Sequence, residues 1–478
     1  MSWPHFAQAL PHMDKDRGAL MPGLQGYSLE VPDDARRRLA IGWLALALAA
    51  LVGSGLFAVL LVLSRAPYAK NFFVDVDFFR VALVVHVDLS VLVWFAAIGG
   101  MLWSLNSTPR ALGAGWAALW LAVAGTLLMC IAPFTGSAMP VMSNYIPVVD
   151  GRWFLAGLVV FAAGCAVLVS RSMWAVPRVG ARLDGAGALR FGLNSALVSA
   201  ALALIAFAWS WLRLPGSLEG KPYYEVLFWG GGHVLQFTWT LLMLVAWVWL
   251  AEAIGAKLPL SPRIATLFFG VGLASVFATP VIYLAWDIVS MQHYRYLTWI
   301  MRFGGGLAIL PFALAVGIGL VTLRGMPEEG RPLRAALIAS MVLFGAGGLI
   351  GFVIQGNNVK IPAHYHGCIV GVTLALMGLV YHLLPRMGFA AVPVRAAALQ
   401  AWLYGSGQLL HVAGLAWSGG YGVQRKAAGA EQLLRTPQEI AAMALMGLGG
   451  LIAVIGGLMF LVIAINSMRR GWKSSISR

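Results

Sequence analysis

The stretch Ile361-Pro362-Ala363-His364-Tyr365-His366-Gly367 opens a long apolar run and carries the pair of residues with the most chemistry in the chain. Residues two apart on a helix point roughly 200° from one another, so His364 and His366 cannot grip one ion together. Each can serve a different one. Two further histidines, His86 and His233, sit early in other apolar runs. Neutral imidazole is a good ligand for haem iron. Two imidazoles from different helices give a six-coordinate iron suited to electron transfer, whereas one leaves an open face for a small molecule. On that geometry His366 pairs with His86 around one haem, and His364 holds a second haem whose other face looks towards His233. Gly230-Gly231-Gly232 and Gly367 either let flat macrocycles approach the backbone or serve helix packing alone.

The elements that position these residues are read from composition. The chain is 60% hydrophobic and 11% charged, with mean hydropathy +0.82, and its apolar runs exceed the ~20 residues that cross a bilayer. The fold class is all-α: a polytopic membrane protein, a bundle of about twelve transmembrane helices. The spans are expected at 40–64, 80–104, 112–134, 152–176, 189–213, 223–253, 262–287, 296–323, 333–355, 363–385, 394–417 and 441–467. They form one domain, 40–467, between basic tails at 1–39 and 468–478. The N-terminal tail ends in Arg36-Arg37-Arg38, so the first span is itself the insertion signal.

With both termini in the cytoplasm, the cytoplasmic side collects the larger share of the 33 Lys and Arg, as the positive-inside rule requires. The surplus of +15 is therefore membrane topology, and nucleic-acid binding is excluded as its cause. This orientation runs helices 2, 6 and 10 from outside to inside. His86, His233, His364 and His366 then share one slab in the outer half of the bilayer, where ionisable side chains mark functional sites. Cys130, Cys165 and Cys368 lack CxxC spacing and read as small core residues.

These residues resemble a known family. Twelve spans, a histidine early in helix 2, Trp229-Gly230-Gly231-Gly232-His233-Val234 on helix 6 and His-x-His opening helix 10 look like subunit I of the haem-copper oxidase superfamily, which includes cytochrome oxidases and nitric oxide reductases. The gap from His86 to His233 is similar to that of the b-haem oxidases and nitric oxide reductases. By this resemblance His86 and His366 match the low-spin haem ligands, His364 the proximal ligand of the high-spin haem, and His233 a ligand of a distal metal. His364 and His233 would be the catalytic pair. Arg425 and Lys426 would neutralise haem propionates or be solvated loop charges. His411 would bond a propionate, line an external channel, or pack in the core on one backbone partner.

One departure matters as much as the match. The family places a His-His pair near the outer end of helix 7. Here that stretch reads Phe277-Ala278-Thr279-Pro280-Val281-Ile282-Tyr283. The nearest substitute, His293, is expected as an exposed loop residue. One imidazole cannot hold copper, so the resemblance implies two haems of b or a type with copper doubtful. Phe237 stands one turn after His233, where many oxidases have a redox tyrosine, and Gln236 offers no carboxylate. Titratable residues are scarce in the cytoplasmic half, so proton pumping is not expected. His382 is expected at the cytoplasmic interface.

Two functions remain open. One is the haem-binding catalytic subunit of a respiratory oxidoreductase reducing O2 or NO. The other is a non-catalytic dihaem electron-transfer subunit. Either works in a cell membrane, expected to be a bacterial inner membrane. The expected partners are the lipid bilayer, other membrane and cytochrome subunits, and cytochrome c or quinol as donor. The external loops at 135–151 and 418–440 are the expected docking places.

Overall fold

The computed structural model describes residues 26–63, 78–136, 139–179, 183–425 and 434–476. Among them, helical segments of membrane length run in order: α1 Ala35–Leu63; α2 Phe78–Leu105, α3 Leu112–Phe134, α4 Arg152–Trp174, α5 Gly185–Arg213, α6 Gly220–Ala253, α7 Pro262–Ala285, α8 Met291–Thr322, α9 Glu328–Phe352 and α10 Lys360–Arg386; α11 Val394–Gly420; and α12 Pro437–Ile476. Eleven are long and apolar enough to cross a membrane. The other, α11, matches them in length but carries Gln400, Gln408 and His411. The protein is an integral membrane helix bundle.

Sequence neighbours pack as antiparallel pairs: α3 on α4, α5 on α6, α9 on α10 and α11 on α12. In α10, 89% of the most apolar stretch is buried, and in α6, 78%. The helices that carry three of the four histidines are thus the most enclosed, and the others turn Leu, Val and Trp outward, as lipid-facing helices do. Close approach fixes α10 against α9. A Cβ on Gly367 would lie 2.6 Å from the Cα of Gly347, a contact that only glycine backbones permit.

Three irregularities fall near the histidines. A π-helical turn over Asp88–Val93 follows His86, another over Ile300–Gly304 interrupts α8, and the α3–α4 connection folds into a hairpin. Its strands are β1, Met139–Val141, and β2, Val148–Asp150. At the opposite end of the bundle, residues before α1 pack inward: Tyr27 and Leu29 are buried, and the Tyr27 hydroxyl donates to the Leu260 carbonyl at 2.6 Å.

Candidate functional site

His86 stands on α2 facing Ser54 of α1. Its Nδ1 is 2.9 Å from the Ser54 carbonyl oxygen, and the Ser54 hydroxyl donates to the His86 carbonyl at 3.1 Å. The same arrangement recurs. His364 Nδ1 faces the Gly347 carbonyl of α9 at 2.7 Å, His366 Nδ1 faces Pro362 one turn back at 2.8 Å, and His411 Nδ1 faces Met446 of α12 at 2.9 Å. A carbonyl oxygen only accepts, so the nitrogen opposite it carries the ring proton and Nε2 keeps its lone pair. Each imidazole is thereby held in the tautomer that ligates through Nε2, with the backbone partner fixing ring orientation.

His366 lies within electrostatic reach of His86 and His411, and its ring is 5.0 Å from that of His411. His86, His364, His366 and His411 each keep partial exposure although their helices are packed on several sides. Gly351 leaves room for His364: a Cβ there would sit 2.7 Å from its Nδ1. The donor set and its tautomers fit axial ligation of haem iron, with His86 and His366 on two helices and His364 on the far side of α10.

His233 is different. It is 3% exposed, its Nδ1 donates to the Trp229 carbonyl at 2.7 Å, and its Nε2 accepts from the Tyr145 hydroxyl at 3.0 Å. Tyr145 lies at the tip of the β1–β2 hairpin with φ +67°, an uncommon backbone state for a residue with a side chain. Asn144 beside it donates from its backbone N–H and its amide to the Glu225 carboxylate, at 3.2 and 2.7 Å. Burial, with Glu225 nearby, pushes the Tyr145 phenol above its ordinary value, so it keeps its proton and is the donor.

The comparisons with known proteins are decisive for the family. The model of cytochrome c and quinol oxidase polypeptide I matches residues 38–466. The chain belongs to the cytochrome c and quinol oxidase polypeptide I family. Among its relatives are an uncharacterized protein of Rickettsia prowazekii (strain Madrid E), 28% identical over 90% of this chain and 96% of that protein, and cytochrome c oxidase subunit 1 of Thermus thermophilus, 27% identical over 75% of this chain and 69% of that protein. A haem-copper terminal oxidase solved as a dimer superposes with TM-score 0.71 at 19% identity, over 91% of this chain and 84% of that one. Its likeness establishes the fold.

Against that oxidase frame, several expectations need correction. Of the two readings of Gly230-Gly231-Gly232, packing is the one that holds. A Cβ on each would collide in turn with Tyr283, Phe207 and Tyr145, so the run admits the chain's own aromatic rings. His293 is not an exposed loop residue. It is 2% exposed, because Ser290 caps its backbone N–H at 3.2 Å and starts α8 earlier than hydropathy indicates. Its ring meets Tyr283 edge-on at 4.7 Å, and its buried Nδ1 has no hydrogen-bond partner among the described residues. His382, near the end of α10, packs against Trp249 at 5.9 Å and is bonded by Arg386. In the β1–β2 hairpin, Asn144 and Tyr145 bond Glu225 and His233 of α6.

Arg425 bonds Asn357, reaches Asn144 at 3.5 Å and lies within electrostatic reach of Tyr365, between the two α10 histidines. Lys426 lies outside the described residues. On α7, Val281 and Leu284 face outward at 60% and 75% exposure, and the inward Tyr283 hydroxyl engages Ser210 and Ala206. Among the described residues no three His, Cys, Asp or Glu side chains gather as a metal site. Tyr145 escaped sequence reasoning, because nothing local marks a loop tyrosine that meets a histidine 88 positions away.

Proposed function

We propose that the protein is the haem-binding subunit of a membrane oxidoreductase, carrying two haems in the outer half of the bundle and passing electrons from one to the other. His86 and His366 hold the low-spin haem, and His364 holds the second as its single protein ligand. When bound, these groups supply one-electron transfer and, at the second, an open iron position for O2 or NO. The observation that carries this reading is the common tautomer: the Nδ1–H of His86, His364 and His366 is given to a backbone carbonyl, which leaves Nε2 of each free to ligate.

The remaining residues act by position. Ser54, Gly347 and the Pro362 carbonyl orient the imidazoles, and the enclosed α6 and α10 keep bulk water from the site. Arg425, above the start of α10, neutralises haem propionates. The electron donor is a cytochrome c or a quinol, delivered with partner subunits at the external face, and both termini lie in the cytoplasm of a bacterial inner membrane. A second reading, a dihaem electron carrier with no substrate, is favoured by one observation: the Nε2 of His233 is already taken by Tyr145. CO binding to the dithionite-reduced protein separates the two. One CO for every two haems supports the catalytic reading, and no CO with two low-spin haems, which requires His233 to leave Tyr145 or another group to supply the sixth ligand, supports the carrier.

A further inference from the structure

The oxidase family implies a second metal beside the high-spin haem, and the residues around His233 do not fit one. Copper needs three or four converging donors. His233 has one lone pair, because its Nδ1 is committed to the Trp229 carbonyl, and that lone pair accepts the Tyr145 proton. No imidazole comes from α7, where Tyr283 points inward with its hydroxyl satisfied. His293 is the other buried imidazole of this corner, and two imidazoles fall short of a stable site.

Tyr145 is not there by accident of packing. Its backbone is in the left-handed region, Asn144 is clamped twice to Glu225, and its ring lies where any Cβ on residue 232 would be. Strain of this kind persists where surrounding contacts over-determine it.

We propose that the Tyr145–His233 hydrogen bond stands in place of a second metal, and that Tyr145 is the polar group a diatomic ligand meets on the open face of the haem held by His364. The proposal rests on the reading that His364 carries such a haem. Hairpin docking and metal binding compete for one lone pair, so the distal side is a phenol–imidazole pair in the folded protein.

The test uses detergent-purified holoprotein, with Tyr145→Phe and His233→Gln beside it. Copper and iron per chain are measured as isolated and after incubation with Cu(I), and the C–O stretching band of the ferrous CO adduct is recorded by infrared spectroscopy. The expected result is no retained copper in the wild type before or after incubation, and a shifted C–O band in both variants at unchanged haem content. One copper per chain, lost in His233→Gln, would overturn the exclusion of metal. A C–O band that stays in place in both variants would overturn the place assigned to Tyr145. A wild type that carries haem but forms no CO adduct overturns the open-face reading itself and this proposal with it, an outcome distinct from the other two.

Discussion

The carbonyl of Ser54 on α1 and the imidazole of His86 on α2 are joined at 2.9 Å, so a backbone group of one helix sets the ring orientation of another. The Ser54 hydroxyl adds a bond to the His86 carbonyl. On the proposed ligation, replacing His86 by Ala removes an axial donor without touching α10, and the sharp reduced α-band of a bis-imidazole haem should be lost or move to a high-spin spectrum. Ser54→Ala keeps the carbonyl and should keep the band. Optical spectra of the reduced proteins decide it, and an unchanged band in His86→Ala would falsify the assignment.

His364 leads to a narrower outcome. If it is the only protein ligand of its haem, His364→Ala should abolish the CO-binding fraction and leave the low-spin band in place. Gly351→Ala offers a gentler version. Its new Cβ would lie 2.7 Å from His364 Nδ1, so the ring must shift and its bond to the Gly347 carbonyl must lengthen. Overpacking of this kind costs about 1–3 kcal/mol. CO titration of the variant should show weakened binding at that haem with the His86 haem unaffected, and equal damage to both would show that the effect is global.

How much of this is legible in the sequence follows from what each residue type reports. The helices are, because a span of about 20 apolar residues has few alternatives in a bilayer. His86, His364 and His366 stand out because an ionisable group at membrane depth is costly. Glycine runs are ambiguous: Gly230-Gly231-Gly232 announce that something approaches the backbone, but Tyr283, Phe207 and Tyr145 arrive from three other parts of the chain. His293 is misplaced by hydropathy because a hydroxyl cap at Ser290, not an apolar residue, decides where α8 begins. Carbonyl partners such as Gly347 and Met446 leave no mark in the sequence, since any residue supplies a carbonyl.

The hairpin predicts a stability effect. Tyr145→Phe keeps the ring on Gly232 and deletes the hydroxyl, which leaves the Nε2 of a buried imidazole without its donor. Such an orphaned group costs about 1–3 kcal/mol. Gly232→Ala attacks the same contact from the other side, because the added methyl group would overlap the Tyr145 ring. Thermal unfolding in detergent should show both variants less stable than wild type. Combining the two should cost less than the sum of the separate losses, since both act on one contact; strict additivity would mean the ring and hydroxyl contacts are independent.

Arg425 bears on a redox potential. Its guanidinium is held over the start of α10 by Asn357 and Asn144, outside the membrane-spanning part of the bundle, and the proposed function places it against haem propionates. A nearby cation favours the reduced haem, which carries one positive charge fewer than the oxidised form. Removing it in Arg425→Gln should therefore lower a midpoint potential. An exposed charge pair contributes about 0.2–1 kcal/mol, which at 59 mV per tenfold change for one electron is about 10–40 mV. Screening makes the shift smaller at high salt. Spectroelectrochemical titration at two ionic strengths measures both quantities. A potential that does not move in either buffer would place Arg425 with the loop, holding Asn144 and Asn357, and away from the haems.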